Sequence, residues 1–196
     1  MSEKIDKNKR HFLGAATAAT GIVGFGFAAV PFLSSLKPSA RARALGAPVE
    51  VPLASLEPGE MVRVVWRGKL VYVLRRTEEM LKRLSGVTEF LRDPESANTE
   101  LQPSYASNEH RSVDPEFLVV EGSCTHLGCA PTPKLKPKGD MGENWKGGFF
   151  CPCHGSKFDL SGRVYKGVPA PTNLKVPPYS FTQTNVITIG IDSGNA

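Results

Sequence analysis

Histidine and cysteine are both scarce in this chain, four of each among 196 residues, so any place where they gather is informative. Excess charge is also scarcer than the net value of +5 suggests. Residues 1–47 hold seven Lys/Arg (Lys4, Lys7, Lys9, Arg10, Lys37, Arg41, Arg43) against Glu3 and Asp6, while the 17 basic and 17 acidic residues of 48–196 cancel. A globular part without a basic footprint gives no support to nucleic-acid binding. No internal repeat is evident. The 196 residues leave room for one domain plus an appendage, not for two large domains. With 40% hydrophobic and 22% charged residues, the composition is ordinary for a chain that folds.

Charge is missing altogether from Phe12 to Leu36, a run of 25 residues that includes Ile22-Val23, Phe25, Phe27 and Phe32-Leu33. At about 1.5 Å per residue such a run crosses a hydrocarbon core of roughly 30 Å. Gly21, Gly24 and Gly26 suit close helix approach in a bilayer, and Pro31 is tolerated there. The reading is a single membrane helix over 12–36, preceded by a cytoplasmic segment, 1–11. Asn8-Lys9-Arg10-His11-Phe12-Leu13 resembles a twin-arginine export signal with Lys in place of the first Arg. Such export moves domains that are already folded, which places the globular part outside. The alternative is a cleaved signal peptide, since Ala40-Arg41-Ala42 and Ala42-Arg43-Ala44 are small-x-small; the run is longer than a usual signal core, which favours an uncleaved anchor. Residues 37–48, small and bracketed by Pro38 and Pro48, read as a flexible linker.

Residues 49–196 read as one mainly β domain. Met61–Arg67 alternates Val62, Val64 and Trp66, and Leu70–Leu74 follows Gly68-Lys69 as the second arm of a hairpin. Phe117–Val120 and Gly148-Phe149-Phe150 each lead into a cysteine cluster, and Val186–Ile189 follows a polar turn. Met80, Leu81, Leu84 and Val87 predict a helix over Thr77–Leu91, ended by Asp93-Pro94. Residues 92–116 are polar and irregular and read as a long surface insertion.

The clusters are Cys124-Thr-His126-Leu-Gly-Cys129 and Cys151-Pro-Cys153-His154-Gly-Ser156. Four thiols and two imidazoles suit zinc or an iron–sulfur cluster, and hard cations poorly. A closed Cys2His2 zinc site is one reading, but it leaves two thiols spare. Two disulfides with bystander histidines is another, and it makes two Cys/His juxtapositions accidental in a chain with four histidines.

The pair Cys-x-His-x-x-Cys and Cys-x-Cys-His-x-Ser resembles the Rieske family, in which two histidines replace two cysteines on one iron of a 2Fe-2S cluster. The resemblance implies a Rieske-type antiparallel β-sandwich with a cluster-binding part at about 118–175. Cys124 and Cys151 fall on one iron, His126 and His154 on the other, and Cys129 and Cys153 on a disulfide between the two loops. Ser156 matches a serine that hydrogen-bonds a bridging sulfide. A position two residues later, often Tyr in the family, is Phe158 here, which implies a lower potential than in Tyr-bearing relatives. Gly167-Val-Pro-Ala-Pro-Thr-Asn-Leu174 is similar to the proline loop of the Rieske subunit of the respiratory cytochrome bc complex. On that likeness Leu127, Gly128, Pro169 and Pro171 form the quinol-site docking surface, and His154 takes a hydrogen bond and a proton from ubiquinol. The partners implied are a cytochrome b subunit and a c-type cytochrome in a dimeric complex of the bacterial inner membrane, with the β domain periplasmic. The competing functions are the small Rieske subunit of a periplasmic oxidase such as arsenite oxidase, and a membrane-tethered structural zinc protein.

Overall fold

The computed structural model describes residues 6–183 and 185–192. The first five residues of the predicted cytoplasmic segment and the last four of the β domain lie outside the described residues. The chain divides into two units at residues 44 and 45.

The first unit is built on one long helix, α1 (Lys7–Ser35). It begins earlier than the apolar run because the Asp6 carboxylate caps it, accepting from the amides of Asn8 at 3.0 Å and Lys9 at 3.2 Å. None of its residues is buried, although Phe12, Ile22, Phe25, Phe27 and Phe32 are each more than 70% exposed. So much unpartnered apolar surface on a helix of this length suits lipid rather than water. Its hydroxyls need no outside partner: Thr17 donates to the Leu13 carbonyl at 2.8 Å and Thr20 to that of Ala16 at 2.9 Å. The segment read as a flexible linker carries a short helix, α2 (Ala40–Leu45), whose Ser39 hydroxyl accepts from the Ala42 amide. Ala, Arg and Leu are good helix formers, but six residues in isolation make only a marginal helix.

The second unit follows with β1 (Val49–Pro52), β2 (Met61–Trp66), β3 (Lys69–Arg75), α3 (Glu78–Lys82), β4 (Phe117–Glu121), β5 (Thr132–Lys134), β6 (Gly148–Phe150), β7 (Lys157–Phe158), β8 (Tyr179–Gln183) and β9 (Val186–Ile189). Among the described residues these strands make three small antiparallel sheets, ordered β1-β9-β8, β2-β3-β4 and β5-β6-β7. The expected hairpin is present, Trp66 facing Lys69 across a turn in which Arg67 and Gly68 both have positive φ. β3 and β4 are buried almost end to end, from Val71 to Leu74 and from Phe117 to Glu121, so the middle sheet is the centre of the core.

Two expectations are corrected. The helix predicted over Thr77–Leu91 is only five residues of α-helix, followed by a 3-10 stretch over Ser85–Phe90. Met80, Leu84 and Val87 are buried as the pattern required. The tighter 3-10 winding breaks the α period where Ser85, Gly86 and the β-branched Val87 and Thr88 follow one another. The second correction concerns residues 92–116, which are not a surface insertion. Ser96, Gln102, Ala106, Arg111 and Ser112 are buried there, between 3-10 turns at Thr99–Leu101 and Ser104–Ala106. Hydrogen bonds from Gln102 to the Ser96 and Asn98 carbonyls, from Arg111 to Gln102 and from Arg76 to Ser112 let much of this polar sequence pack inside.

Candidate metal centre

The two cysteine clusters are one backbone turn used twice. In the first loop the Cys124 amide donates to the Cys129 carbonyl and the Gly128 amide to the Cys124 carbonyl, both at 2.8 Å. In the second, Cys151 donates to the Ser156 carbonyl at 2.8 Å and Gly155 to that of Cys151 at 2.9 Å. Each turn needs a left-handed residue at its fifth position, and glycine supplies it: φ is +84° at Gly128 and +79° at Gly155. The loops leave from β4 and β6, so rigid strands fix where they start.

Tyr72, on β3, holds the strands that carry them. Its hydroxyl donates to the Pro131 carbonyl at 2.8 Å, just past the first loop, and its ring stacks on Phe149 of β6 with centroids 5.7 Å apart. The ring also lies flat against Gly122, where an added Cβ would come within 2.6 Å of it. Neither Tyr72 nor Gly122 stood out in the sequence. The signal was a polar-tipped aromatic in the middle of the apolar run Leu70–Leu74.

Between the loops the structure forms a disulfide, Cys129–Cys153, and leaves Cys124 and Cys151 free and buried. The sulfurs of Cys129, Cys151 and Cys153 lie within 4.8 Å of one another, but two of these are spent in the disulfide. The thiols left to bind a metal are therefore those of Cys124 and Cys151. Burial pushes the Cys124 thiol up, its neighbour Cys151 pushes the same way, and hydrogen bonds from His126 and Ser156 pull it down. The Cys124 thiol thus resists becoming a thiolate without a cation to neutralise it.

The imidazoles of His126 and His154 meet edge to face, centroids 4.8 Å apart and planes at 89°. The two differ in environment. His126 is half-buried and its Nδ1 is fully shielded without a hydrogen-bond partner, whereas His154 is exposed. A buried imidazole nitrogen with nothing to bond is what a ligand looks like before its metal is added.

Ser156 is fully buried, and its hydroxyl oxygen accepts from the Ala170 amide at 3.0 Å in the proline loop while facing the Cys124 sulfur. Thr125 donates to the Thr172 carbonyl at 2.7 Å, so each cluster loop grips the proline loop once. Phe158 is completely buried on β7, opposite Phe149. Leu127 is 72% exposed, and Gly128, Pro169 and Pro171 are exposed with it. The residues anticipated for the site thus fall into two buried thiols, a pair of imidazoles of which one is exposed, and an exposed apolar rim.

Comparison with known proteins identifies the family. Residues 92–179 match the Rieske [2Fe-2S] domain, and residues 1–39 match the ubiquitinol-cytochrome C reductase Fe-S subunit TAT signal. The chain is 52% identical over 197 residues to the ubiquinol-cytochrome c reductase iron-sulfur subunit of Allochromatium vinosum, covering 100% of this chain and 94% of that protein. It is 43% identical over 190 residues to the subunit of the same name from Blastochloris viridis, covering 96% of each. A solved hyperthermophilic respiratory Complex III chain is similar at 26% identity and a TM-score of 0.48, covering 89% of this chain and 98% of that one. Relatives this similar along nearly the whole length show that the chain belongs to the Rieske iron–sulfur subunits of ubiquinol–cytochrome c reductase.

Proposed function

We propose that Cys124 and Cys151 hold one iron and His126 and His154 the other of a Rieske 2Fe-2S cluster, in a subunit that moves electrons from ubiquinol to a c-type cytochrome. The observation that carries this reading is the division of the cysteines: two bridge the loops, and the other two lie buried beside a pair of imidazoles. The donor set fits the group, since soft thiols and imidazoles are its known ligand types. When bound, the cluster supplies a one-electron acceptor that imidazoles leave less negative than four thiolates would.

The chain's own residues do the rest. His154, exposed at the tip of the second loop, offers its free nitrogen to the hydroxyl of a quinol and takes a proton there. Leu127, Gly128, Pro169 and Pro171, all exposed, offer apolar surface that receives the cytochrome b subunit and excludes water from the hydrogen bond. The disulfide and the two grips on the proline loop keep that rim in one shape. Ser156, with a hydroxyl already turned toward the donor sulfur of Cys124, steadies the electron-rich sulfurs.

In this reading α1 crosses the bacterial inner membrane with its N-terminus cytoplasmic and the β domain periplasmic, as part of a dimeric cytochrome bc complex. The segment 37–48, with its marginal helix, yields as the domain moves between the cytochrome b subunit and the c-type cytochrome. The test is the low-temperature EPR spectrum of membranes containing the chain, after ascorbate reduction. A rhombic signal of mixed His/Cys ligation that changes shape with a quinol-site inhibitor supports both cluster and quinol site. The signal without inhibitor sensitivity moves the assignment to an oxidase subunit of the arsenite-oxidase kind. Zinc in place of iron, with no signal, makes the chain a structural zinc protein.

A further inference from the structure

Behind the cluster loops lies a group of side chains for which neither electron transfer nor ordinary stability accounts. Arg76, Arg111 and Arg163 are each at most 2% exposed, and the buried carboxylate among them is that of Asp159, at 1%. Asp93 and Asp114 act on the group from half-buried positions at its edges. All three guanidiniums grip the same short turn, Asp159–Arg163, which follows the second cluster loop through β7. Arg76 donates to the Leu160 carbonyl at 3.3 Å and the Ser161 hydroxyl at 3.0 Å. Arg111 donates to the carbonyls of Ser161 and Gly162 at 3.4 Å, and Arg163 to the Asp159 carboxylate at 2.8 Å.

This turn is a junction of the loops that build the site. Gly162 accepts the amide of Leu174, the last residue of the proline loop, and is walled in by Leu174, Arg111 and Val120 of β4, the strand that leads into the first cluster loop. Arg111 is costly there in three ways. Its backbone has φ +52°, a left-handed conformation unfavourable for a side chain, its charge is wholly buried, and its Nε has no hydrogen-bond partner. Burial draws Arg76 and Arg111 down to about 10, a value that leaves both charged at neutral pH. Buried charges are seldom kept for stability alone, since well-packed apolar residues serve as well or better.

We infer that the Arg76–Arg111–Arg163 group is an electrostatic support for the metal centre: its positive charge, three buried guanidiniums against the one buried carboxylate of Asp159, is fixed behind the three loops and raises the affinity of the site for an electron. The inference rests on the Rieske reading above. The three arginines are positioning residues; none reaches the cysteines or histidines of the site. In a poorly screened interior a fixed positive charge favours the more negative, reduced state of whatever the loops hold. Asp159 tempers the effect from within the group, and Asp93 and Asp114 temper it from the more exposed edges; Asp159 also accepts the Ser161 and Arg163 amides at 2.9 and 2.7 Å, which shapes the turn.

The test is a redox titration of the EPR signal in membranes carrying the full chain, with thermal stability followed in parallel. Arg111→Leu is expected to lower the reduced-to-oxidised ratio at a fixed ambient potential by roughly three- to tenfold. Arg111→Lys, which keeps the charge but not the fork of donors, is expected to titrate like the parent. Asp159→Asn should move the ratio the opposite way, upward, even as it lowers stability; a purely structural role predicts no upward move. A full signal with an unmoved midpoint in Arg111→Leu, a Lys variant that shifts as Leu does, or a fall in Asp159→Asn overturns the inference. Should Arg111→Leu not assemble, the sign seen in Asp159→Asn decides. Absence of any mixed His/Cys signal in the parent would instead defeat the Rieske reading itself.

Discussion

The two cluster loops share a backbone and differ in almost everything else. Both open on a buried free cysteine, carry glycine at the fifth position and close with the same pair of hydrogen bonds. The third position is His126 in one and Cys153 in the other; the fourth is Leu127 against His154; the sixth is Cys129 against Ser156. Moving the histidine by a single place carries it from a half-buried position, its Nδ1 shielded, to an exposed one. The vacated fourth position of the first loop becomes an exposed leucine. A duplicated turn thus supplies two equal cradles, and side-chain order alone decides which imidazole faces inward and which meets a partner.

The comparison breaks most completely at the shared first position. Cys124→Ser and Cys151→Ser are expected to abolish the cluster signal equally, since a hydroxyl replaces a thiolate ligand. Unequal loss would mean that the loops do not contribute one thiol each. Cys129→Ser with Cys153→Ser comes next. Opening the bridge is expected to cost about 2–4 kcal/mol, read as a lower midpoint of thermal unfolding in the oxidised protein, with the parent falling to the same value after reduction. Ser156→Ala changes the sixth position of the second loop, where the first loop has Cys129. It strands the buried Ala170 amide, at about 1–3 kcal/mol, and removes a hydroxyl from beside Cys124, so the midpoint potential should fall along with stability. A potential that stays put while stability drops would leave Ser156 as a fastener of the proline loop and no more.

Much of this was legible because the two signals involved are local. The hairpin at Met61–Leu74, the strands entering each loop and the paired motifs depend on spacing within a few residues, and the structure keeps them where they were read. The bridge between Cys129 and Cys153 came from family likeness rather than from spacing. What the residues concealed was the interior of 92–116. Arg111, Gln102 and Ser96 look like solvent-facing residues on composition, because charged and polar side chains are almost never fully buried unless paired. Gln102 bonds to Ser96 and Arg111 within the segment, but the other groups facing Arg111, Ser161, Gly162 and Asp159, lie some fifty residues downstream and cannot be paired with it by local pattern. The helix over 77–91 failed for a different reason: its apolar spacing was right and its winding was not, since burial fixes which residues face the core but not whether the turn is α or 3-10.

Phe158 sharpens the difference between the loops, because only the second is followed by an aromatic in the core beneath the site. The ring is fully buried against the partner strand and has no hydroxyl to offer. Phe158→Tyr is expected to raise the midpoint potential by adding a donor to the sulfurs, measured by the same EPR titration. No rise would mean that the added hydroxyl finds another partner, and the low-potential reading of this position would fall.

The smallest effect expected is also confined to one loop. Tyr72 anchors the strand end beyond the first loop through its hydroxyl on Pro131. Burial pushes the Tyr72 phenol up, and the Arg63 guanidinium partly offsets this. A folded-state value above the unfolded one means that the native protein holds this proton more tightly. The resulting stability is fully present below about pH 10, the ordinary phenol value, and is lost as the pH rises through the higher folded value. Amide hydrogen exchange followed upward from pH 9, corrected for the intrinsic rate, should therefore show protection around residues 129–132 falling once the pH passes the ordinary phenol value. Tyr72→Phe removes the ionisable group, so its exchange in the first loop should be faster at every pH but lose the alkaline step. If the step survives in the Phe variant, Tyr72 is not the alkaline weak point of the first loop.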